Sequence, residues 1–240
     1  MAPSRSASEQ QPRTRVGVLG GTFNPVHLGH LRLAEEAVEA LTLERCLLVP
    51  AWIPPHKTEL KLAPYPSRYR MLELAIADHP RFRVSDVERR LSGTSYTVTT
   101  LRQLARELEA PVELYFLLGL DAFLEIHGWW HFRELFELAT LTIFPRPGCA
   151  RQAIGEHLTR YVSPRYLWNE EQDRFTHPDL RPVMVLRSTF LDISSSAIRN
   201  LVAGGKSIRY LVPEPILGYI EAAGLYRNPG NHLRNRKGAV

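Results

Sequence analysis

Short apolar runs alternate along the chain with longer segments in which apolar residues recur every three to four positions. Six runs have the length of strands: Arg15–Leu19, Arg45–Val49, Phe82–Ser85, Glu113–Leu118, Leu141–Phe144 and Val183–Leu186. Helical spacing falls between them, over Leu28–Leu41, Ser67–Ala77, Tyr96–Glu109, Asp121–Ile126 and Phe132–Leu138. Ser67 is the expected N-cap of the second helix, which carries Met71, Leu72, Ala75 and Ile76 on its buried stripe. Strands that alternate with helices predict βαβ units with right-handed crossovers. The expected class is therefore α/β, a doubly wound, mostly parallel sheet with helices on both faces. Ser194–Ala203 and Pro213–Ala223 add a small helical C-terminal portion; Pro213 and Pro215 suit the first turn of the last helix and Gly224 its end. Upstream, Arg146 to Arg181 is rich in proline and charge with few apolar repeats, and reads as a variable, mobile insertion.

Composition narrows the class without changing it. The chain has 240 residues, 44% hydrophobic and 23% charged, which is ordinary for a globular enzyme with a sizeable core. One domain over residues 14–226 is expected, with a disordered tail at 1–13 and a basic tail at 227–240. No window approaches the ~18 consecutive apolar residues of a membrane span, so no membrane partner is expected. The Met1–Arg13 tail lacks the apolar stretch of a secretory signal, and the two cysteines, Cys46 and Cys149, have no metal or redox spacing. Both thiols are expected to be reduced and buried, in a cytoplasmic protein. A net charge of +5 favours anionic partners. Part of the excess lies in the tail His232–Lys237, and the rest is scattered without a basic stripe or interleaved aromatics. Small phosphorylated substrates are therefore expected, not nucleic acid.

The chemistry is concentrated in Gly20-Gly21-Thr22-Phe23-Asn24-Pro25-Val26-His27-Leu28-Gly29-His30, between the first strand and the first helix. Glycines let backbone approach an anion closely, and free amides at a helix start point at it with the dipole behind them. Histidines at i and i+3 share a face, so both imidazoles can reach one ligand. The remaining seven histidines lack such a setting and read as surface or capping residues, with His56 a neighbour of the site at most. Far along the chain, Ile193-Ser194-Ser195-Ser196-Ala197-Ile198-Arg199 places hydroxyls at a helix start and an arginine one turn on. Alone it divides evenly between a helix cap and a phosphate clamp; beside the first motif, the clamp is favoured.

His27-Leu28-Gly29-His30 resembles the H-x-G-H element of the nucleotidylyltransferase superfamily, and the 193–199 stretch resembles its I-S-S-T-x-I-R element. The first element is shared with class I aminoacyl-tRNA synthetases and alone implies only attack on a nucleotide α-phosphate. Further segments resemble one branch, the bacterial nicotinate-nucleotide adenylyltransferases: Ile53-Pro54-Pro55-His56-Lys57, Gly93-Thr94-Ser95-Tyr96-Thr97, Gly119-Leu120-Asp121, Trp129-Trp130, Phe144-Pro145-Arg146-Pro147-Gly148, Tyr210, Val212-Pro213 and Gly224-Leu225-Tyr226. The resemblance runs from Arg15 to Tyr226, with two departures: Asn24 stands where that family often has aspartate, and Leu120 where alanine or serine is usual.

What the resemblance implies is a Rossmann-like fold and a reaction joining ATP to nicotinate mononucleotide, with deamido-NAD and pyrophosphate as products. It assigns ATP binding to Gly20, Gly21, Thr22, Phe23, His27, His30, Gly119, Asp121, Ser194, Ser196 and Arg199, with His27, His30 and Arg199 as the catalytic set. Nicotinate mononucleotide falls to Asn24, Lys57, Thr94, Ser95, Tyr96 and Trp129. For Asp121, a bond to the adenosine ribose and a plain helix cap stand level; for Trp129 and Trp130, core packing of one of the two stands level with a place in the pocket. Mg²⁺ is expected to arrive on ATP, with no protein metal site, since no acidic or His/Cys cluster builds a cage. The 53–64 loop is expected to close over substrate, and a homo-oligomer is left open. Nicotinamide mononucleotide or phosphopantetheine as acceptor, a nucleic-acid-binding regulator and a synthetase fragment are the alternatives.

Overall fold

The computed structural model describes residues 13–54, 62–108, 111–145 and 150–228. Its first half is a run of βα units: β1 (Thr14–Gly21), α1 (Leu28–Ala40), β2 (Arg45–Pro50), α2 (Tyr65–Ile76) and β3 (Phe82–Val84), followed by α3 (Val87–Leu91) and α4 (Thr97–Glu107). Next come β4 (Val112–Gly119), α5 (Leu120–Glu125), α6 (Phe132–Leu138), β5 (Thr140–Phe144) and α7 (Ala150–His157). The chain then forms β6 (Leu167–Asn169), β7 (Arg174–Thr176) and β8 (Val183–Val185), and closes with α8 (Ser195–Ala203) and α9 (Glu214–Ala222). The strands form one sheet in the order β3-β2-β1-β4-β5-β8-β7-β6. All pairs from β3 to β8 are parallel; at the edge β7 pairs antiparallel with both β8 and β6.

Strand residues alternate between two cores, as a period of two requires of a sheet covered on both faces. Val16 and Val18, Leu47 and Val49, Leu114, Phe116 and Leu118, and Leu141 and Ile143 face one core with Val98, Leu101 and Leu104 of α4 and Leu135 of α6. The intervening Leu19, Cys46, Leu48, Tyr115, Leu117 and Phe144 face the other, with Ala34 and Val38 of α1, Met71 and Leu72 of α2, and Ile198, Ile216 and Ile220 of the last two helices. The C-terminal helices thus complete the layer begun by α1 and α2. That arrangement brings α8 beside the start of α1.

Two expectations change. The second helix starts at Tyr65, not at a Ser67 cap: Pro64 occupies the N-cap and Pro66 the first turn, where a missing N–H costs nothing, and the Ser67 amide bonds the Pro64 carbonyl at 2.9 Å. The 146–181 stretch, read as a mobile insertion, instead carries α7, a π-turn over Leu158–Val162 and the β6–β7 hairpin that extends the sheet. Single apolar residues per turn or strand, Ile154, Leu158, Tyr166 and Phe175, are enough to seal it onto the core. α3 is also additional, five residues with too few apolar repeats to stand out. Gly224 ends the last helix as expected, at φ +61.

Candidate active site

The strand order reverses between β1 and β4, the place where an open α/β sheet leaves a crevice at its carboxyl edge. A cavity of about 660 Å³ lies there. Thr22 and Asn24 beyond β1, Gly119, Leu120 and Asp121 at the end of β4, and Phe144 and Pro145 at the end of β5 form three sides. His27, Gly29 and His30 at the head of α1 form another, and Ser188–Leu191, Ser194–Ser196 and Arg199 close it from beyond β8. Thus Thr22, His27, His30, Gly119, Asp121, Ser194, Ser196 and Arg199 of the expected ATP set share one cavity, with Asn24 among them.

His27 is the N-cap residue of α1 and His30 sits in its first turn. The His27 amide donates to His30 Nδ1 at 3.3 Å, so a neutral His30 carries its proton on Nε2. The two rings stack with centroids 3.7 Å apart. Burial lowers the His27 pKa to about 4, which keeps that imidazole neutral at pH 7. A Cβ on Gly29 would lie 3.1 Å from His27 Nδ1 and 3.7 Å from the Leu191 carbonyl, so the glycine between the histidines lets ring and loop approach the helix together.

The turn before them is gripped from two sides. Phe23 adopts φ 47, an uncommon region for a bulky side chain, and its buried ring lies against Gly21 and edge-on to His30. Arg199 donates from Nη1 to the Asn24 carbonyl at 2.7 Å and from Nη2 to Ser196 Oγ at 3.0 Å. Arg68 of α2, 1% exposed, donates to the carbonyls of Thr22 (2.8 Å), Ala51 (2.8 Å) and Ala63 (3.1 Å). Burial lowers the pKa of its guanidinium, which nonetheless remains charged. With Thr22 and Asn24 carbonyl oxygens held by guanidinium groups, the turn keeps those acceptors occupied beside a cavity suited to anions. Arg68 was not singled out in the sequence, where it is one arginine among several in an amphipathic helix; only its buried-stripe spacing from Met71 and Leu72 marks it.

At α8 the cap and the cavity coincide. Ser194 Oγ accepts from the Ala197 amide at 3.1 Å, the helix-cap role, while the same residue lines the cavity. Ser195 donates to the Pro25 carbonyl at 2.8 Å, tying α8 to the first motif. Asp121 lies in the first turn of α5, whose N-cap is Gly119, and lines the cavity.

Of the residues expected to hold the mononucleotide, Asn24 lines this cavity, whereas Thr94, Ser95, Tyr96 and Trp129 do not. Ser95 Oγ accepts from the amides of Trp52 (2.8 Å) and Ile53 (3.1 Å), which fixes the loop beyond β2 to the start of α4. Thr94 is exposed beside it, and Tyr96 packs on Trp130 at 4.9 Å. Trp129 is half-buried, edge-on to Phe116 at 6.3 Å, and Trp130 is the exposed member of the pair. Gly20 and Gly21 end β1 without lining the cavity. Lys57, His56, Arg146–Cys149 and most of both tails lie outside the described residues.

A family model described as cytidylyltransferase-like matches residues 18–201. A probable nicotinate-nucleotide adenylyltransferase of Geotalea daltonii is 41% identical over 214 residues, covering 89% of this chain and 99% of its own. One of Syntrophotalea carbinolica is 42% identical over 89% of this chain and 98% of its own. The chain belongs to the nicotinate-nucleotide adenylyltransferase family. Among solved structures, the Plasmodium falciparum nicotinic acid mononucleotide adenylyltransferase complexed with NaAD shares the fold with a TM-score of 0.69 at 18% identity, over 89% of this chain and 98% of that one. The family's two departures have local settings here. Asn24 Oδ1 accepts from the Ala63 amide (3.1 Å) and the Tyr226 hydroxyl (2.8 Å), so the position needs an acceptor oxygen that an amide supplies as well as a carboxylate does. Leu120 both lines the cavity and packs on the core under α5.

Proposed function

We propose that the protein transfers AMP from ATP to nicotinate mononucleotide, forming deamido-NAD and pyrophosphate in NAD biosynthesis. The single observation that carries this reading is the cavity at the β1/β4 reversal. There the stacked histidines at the head of α1 line one cavity with Ser196 and Arg199 of α8. A phosphate oxygen of the mononucleotide attacks the α-phosphorus of ATP; that P–O bond forms as the bond to the bridging oxygen breaks, and the electron pair leaves on pyrophosphate. Such a transfer asks the protein for alignment and charge stabilisation, with no covalent intermediate. In this reading His27, His30 and Arg199 act on the phosphates, assisted by Thr22, Ser194 and Ser196. Gly20, Gly21 and Phe23 shape the turn that presents Thr22. Asp121 and Gly119 lie toward the nucleoside; Asn24, Lys57, Thr94–Tyr96 and Trp129 serve the mononucleotide.

Mg²⁺ enters as the ATP complex. Among the described residues no group of three or more His, Cys, Asp or Glu side chains gathers to hold a metal, and Asp121 is the acidic residue on the cavity wall. Among the described residues, too, no helix is long and apolar enough to cross a membrane. The test is pyrophosphate release from MgATP with nicotinate mononucleotide, beside nicotinamide mononucleotide and phosphopantetheine. Preference for the carboxylate is expected; equal release with the amide would remove the acceptor specificity, and no release at all would remove the reaction. His30→Ala is expected to lower turnover by ~10² or more, the scale of losing one transition-state donor.

A further inference from the structure

The cavity wall between residues 188 and 191 belongs to no helix or strand, yet one side chain of α1 holds it. The Glu36 carboxylate accepts the Thr189 hydroxyl at 2.6 Å and the Thr189 amide at 2.9 and 3.1 Å, and it also receives Nε of Arg32 at 2.8 Å. The carboxylate is largely shielded, at 13% side-chain exposure. Burial acts to raise its pKa but is outweighed by the Thr189 hydroxyl, Arg32 and the Thr189 amide, and the group stays below the ordinary glutamate range. Charge-assisted bonds of this kind are about twice as strong as neutral ones.

The geometry follows the pitch of the helix. His30, Leu33 and Glu36 recur at three-residue steps on α1; His30 and Leu33 line the cavity and Glu36 lies one step further along the same face. Opposite them run Leu191, whose carbonyl is near Gly29, then Phe190 and Thr189. The loop therefore lies along the first turns of α1, touching it at Gly29 and at Glu36. Phe190 and Leu191 are among the large apolar side chains left exposed, and both line the cavity. Their exposure limits what burial contributes to holding the loop, and the Glu36 bonds to Thr189 tie it to α1.

We propose that Glu36 is a positioning residue for ATP: by latching Thr189 to α1 it sets the distance between the histidine motif and the Ser188–Leu191 wall. This rests on the reading that ATP occupies the cavity. The mononucleotide residues Thr94–Tyr96 and Trp129 line no part of that wall, so the latch acts on one substrate and spares the other.

The test uses the full chain with Glu36→Gln, Thr189→Val and Thr189→Ser. Glu36→Gln keeps the shape but turns a donor toward the Thr189 amide; Thr189→Val removes the hydroxyl; Thr189→Ser retains it. Hydrogen exchange at the residue 189 amide, measured without substrate, should accelerate in Glu36→Gln. The KM for ATP should rise about fivefold or more in Glu36→Gln and Thr189→Val, with kcat within about twofold and the mononucleotide KM unchanged, as expected when ground-state positioning is lost. Thr189→Ser should behave as the parent. Unchanged exchange at residue 189, or accelerated exchange with an unchanged ATP KM, overturns the proposal, as does an equal rise in both KM values. If the parent protein turns over none of the mononucleotides, the proposed reaction fails separately. The latch is then judged by exchange at residue 189 and by calorimetric ATP affinity across the same variants.

Discussion

His27 carries a protonation cost that the folded protein imposes on itself. In the unfolded chain its imidazole takes up a proton near pH 6.5, while in the folded chain burial delays this to about pH 4. Between those values the unfolded state binds more protons, so stability rises with pH through that window. The contribution is complete above pH 6.5 and is lost as pH falls toward 4, roughly 3 kcal/mol over the full span. Thermal melts from pH 7 to 4 should show this slope, and His27→Asn, which cannot titrate, should flatten it. An identical slope in the variant would mean that other groups set the acid limb. At the same scale, the string Gly20–His30 was legible because it joins rare features: two glycines, two histidines at one helical step, and a strand before them. Its neighbour Arg68 was not, because its spacing from Met71 and Leu72 is a weak signal for a charged residue that ordinarily faces solvent.

Elements explain what single residues cannot. Arg68 joins three segments through three carbonyls, those of the β1 turn, the loop beyond β2 and the lead into α2. Arg68→Met fills much of the volume but leaves those oxygens without their donor, at about 1–3 kcal/mol for each group stranded in the interior. A fall in Tm of ~6 °C or more is expected for a domain of this size, with Arg68→Lys recovering part of it, since one ammonium cannot reach three divergent acceptors. A Tm within a degree of the parent would show that the loops hold themselves. The serines of α8 divide between two roles, helix cap and phosphate clamp, of which the sequence favours the clamp. Ser194 caps α8 and Ser196 supports Arg199. Ser194→Ala should cost about 1 kcal/mol of stability, the ordinary price of an N-cap. Ser196→Ala, at an exposed first-turn position, should spare stability and weaken ATP binding. Steady-state kinetics beside urea unfolding separates them; the reverse pattern would exchange the two assignments.

At the scale of the molecule, the sequence pattern yields the parallel sheet strand by strand and misses what is appended to it. Periodicity finds elements that repeat a signal: Val16, Val18 and Leu19, or Leu101 and Leu104, announce themselves twice or more. The segment from α7 to β7 offers one buried residue at a time among charges, and so looks like a loop. Phe175 shows what such a lone residue can hold. It is 5% exposed, stacks edge-on to Trp168 at 4.9 Å across the hairpin, and would meet a Cβ on Gly155 at 3.2 Å. Hairpin and α7 meet at this ring, and again where Arg151 of α7 pairs with Glu170 at 2.7 Å and lies over the Trp168 ring. Phe175→Ala opens a cavity at that joint and should cost ~3–5 kcal/mol in urea unfolding, the range for truncating a buried aromatic ring. The cavity at the β1/β4 reversal is built without any residue of the hairpin, so both KM values should hold for the folded fraction. A loss below about 1 kcal/mol would make the hairpin an accessory of the sheet. A large loss with intact KM would make it a structural strand pair, stabilising the edge of a sheet whose chemistry lies nearer its middle, where β1 meets β4.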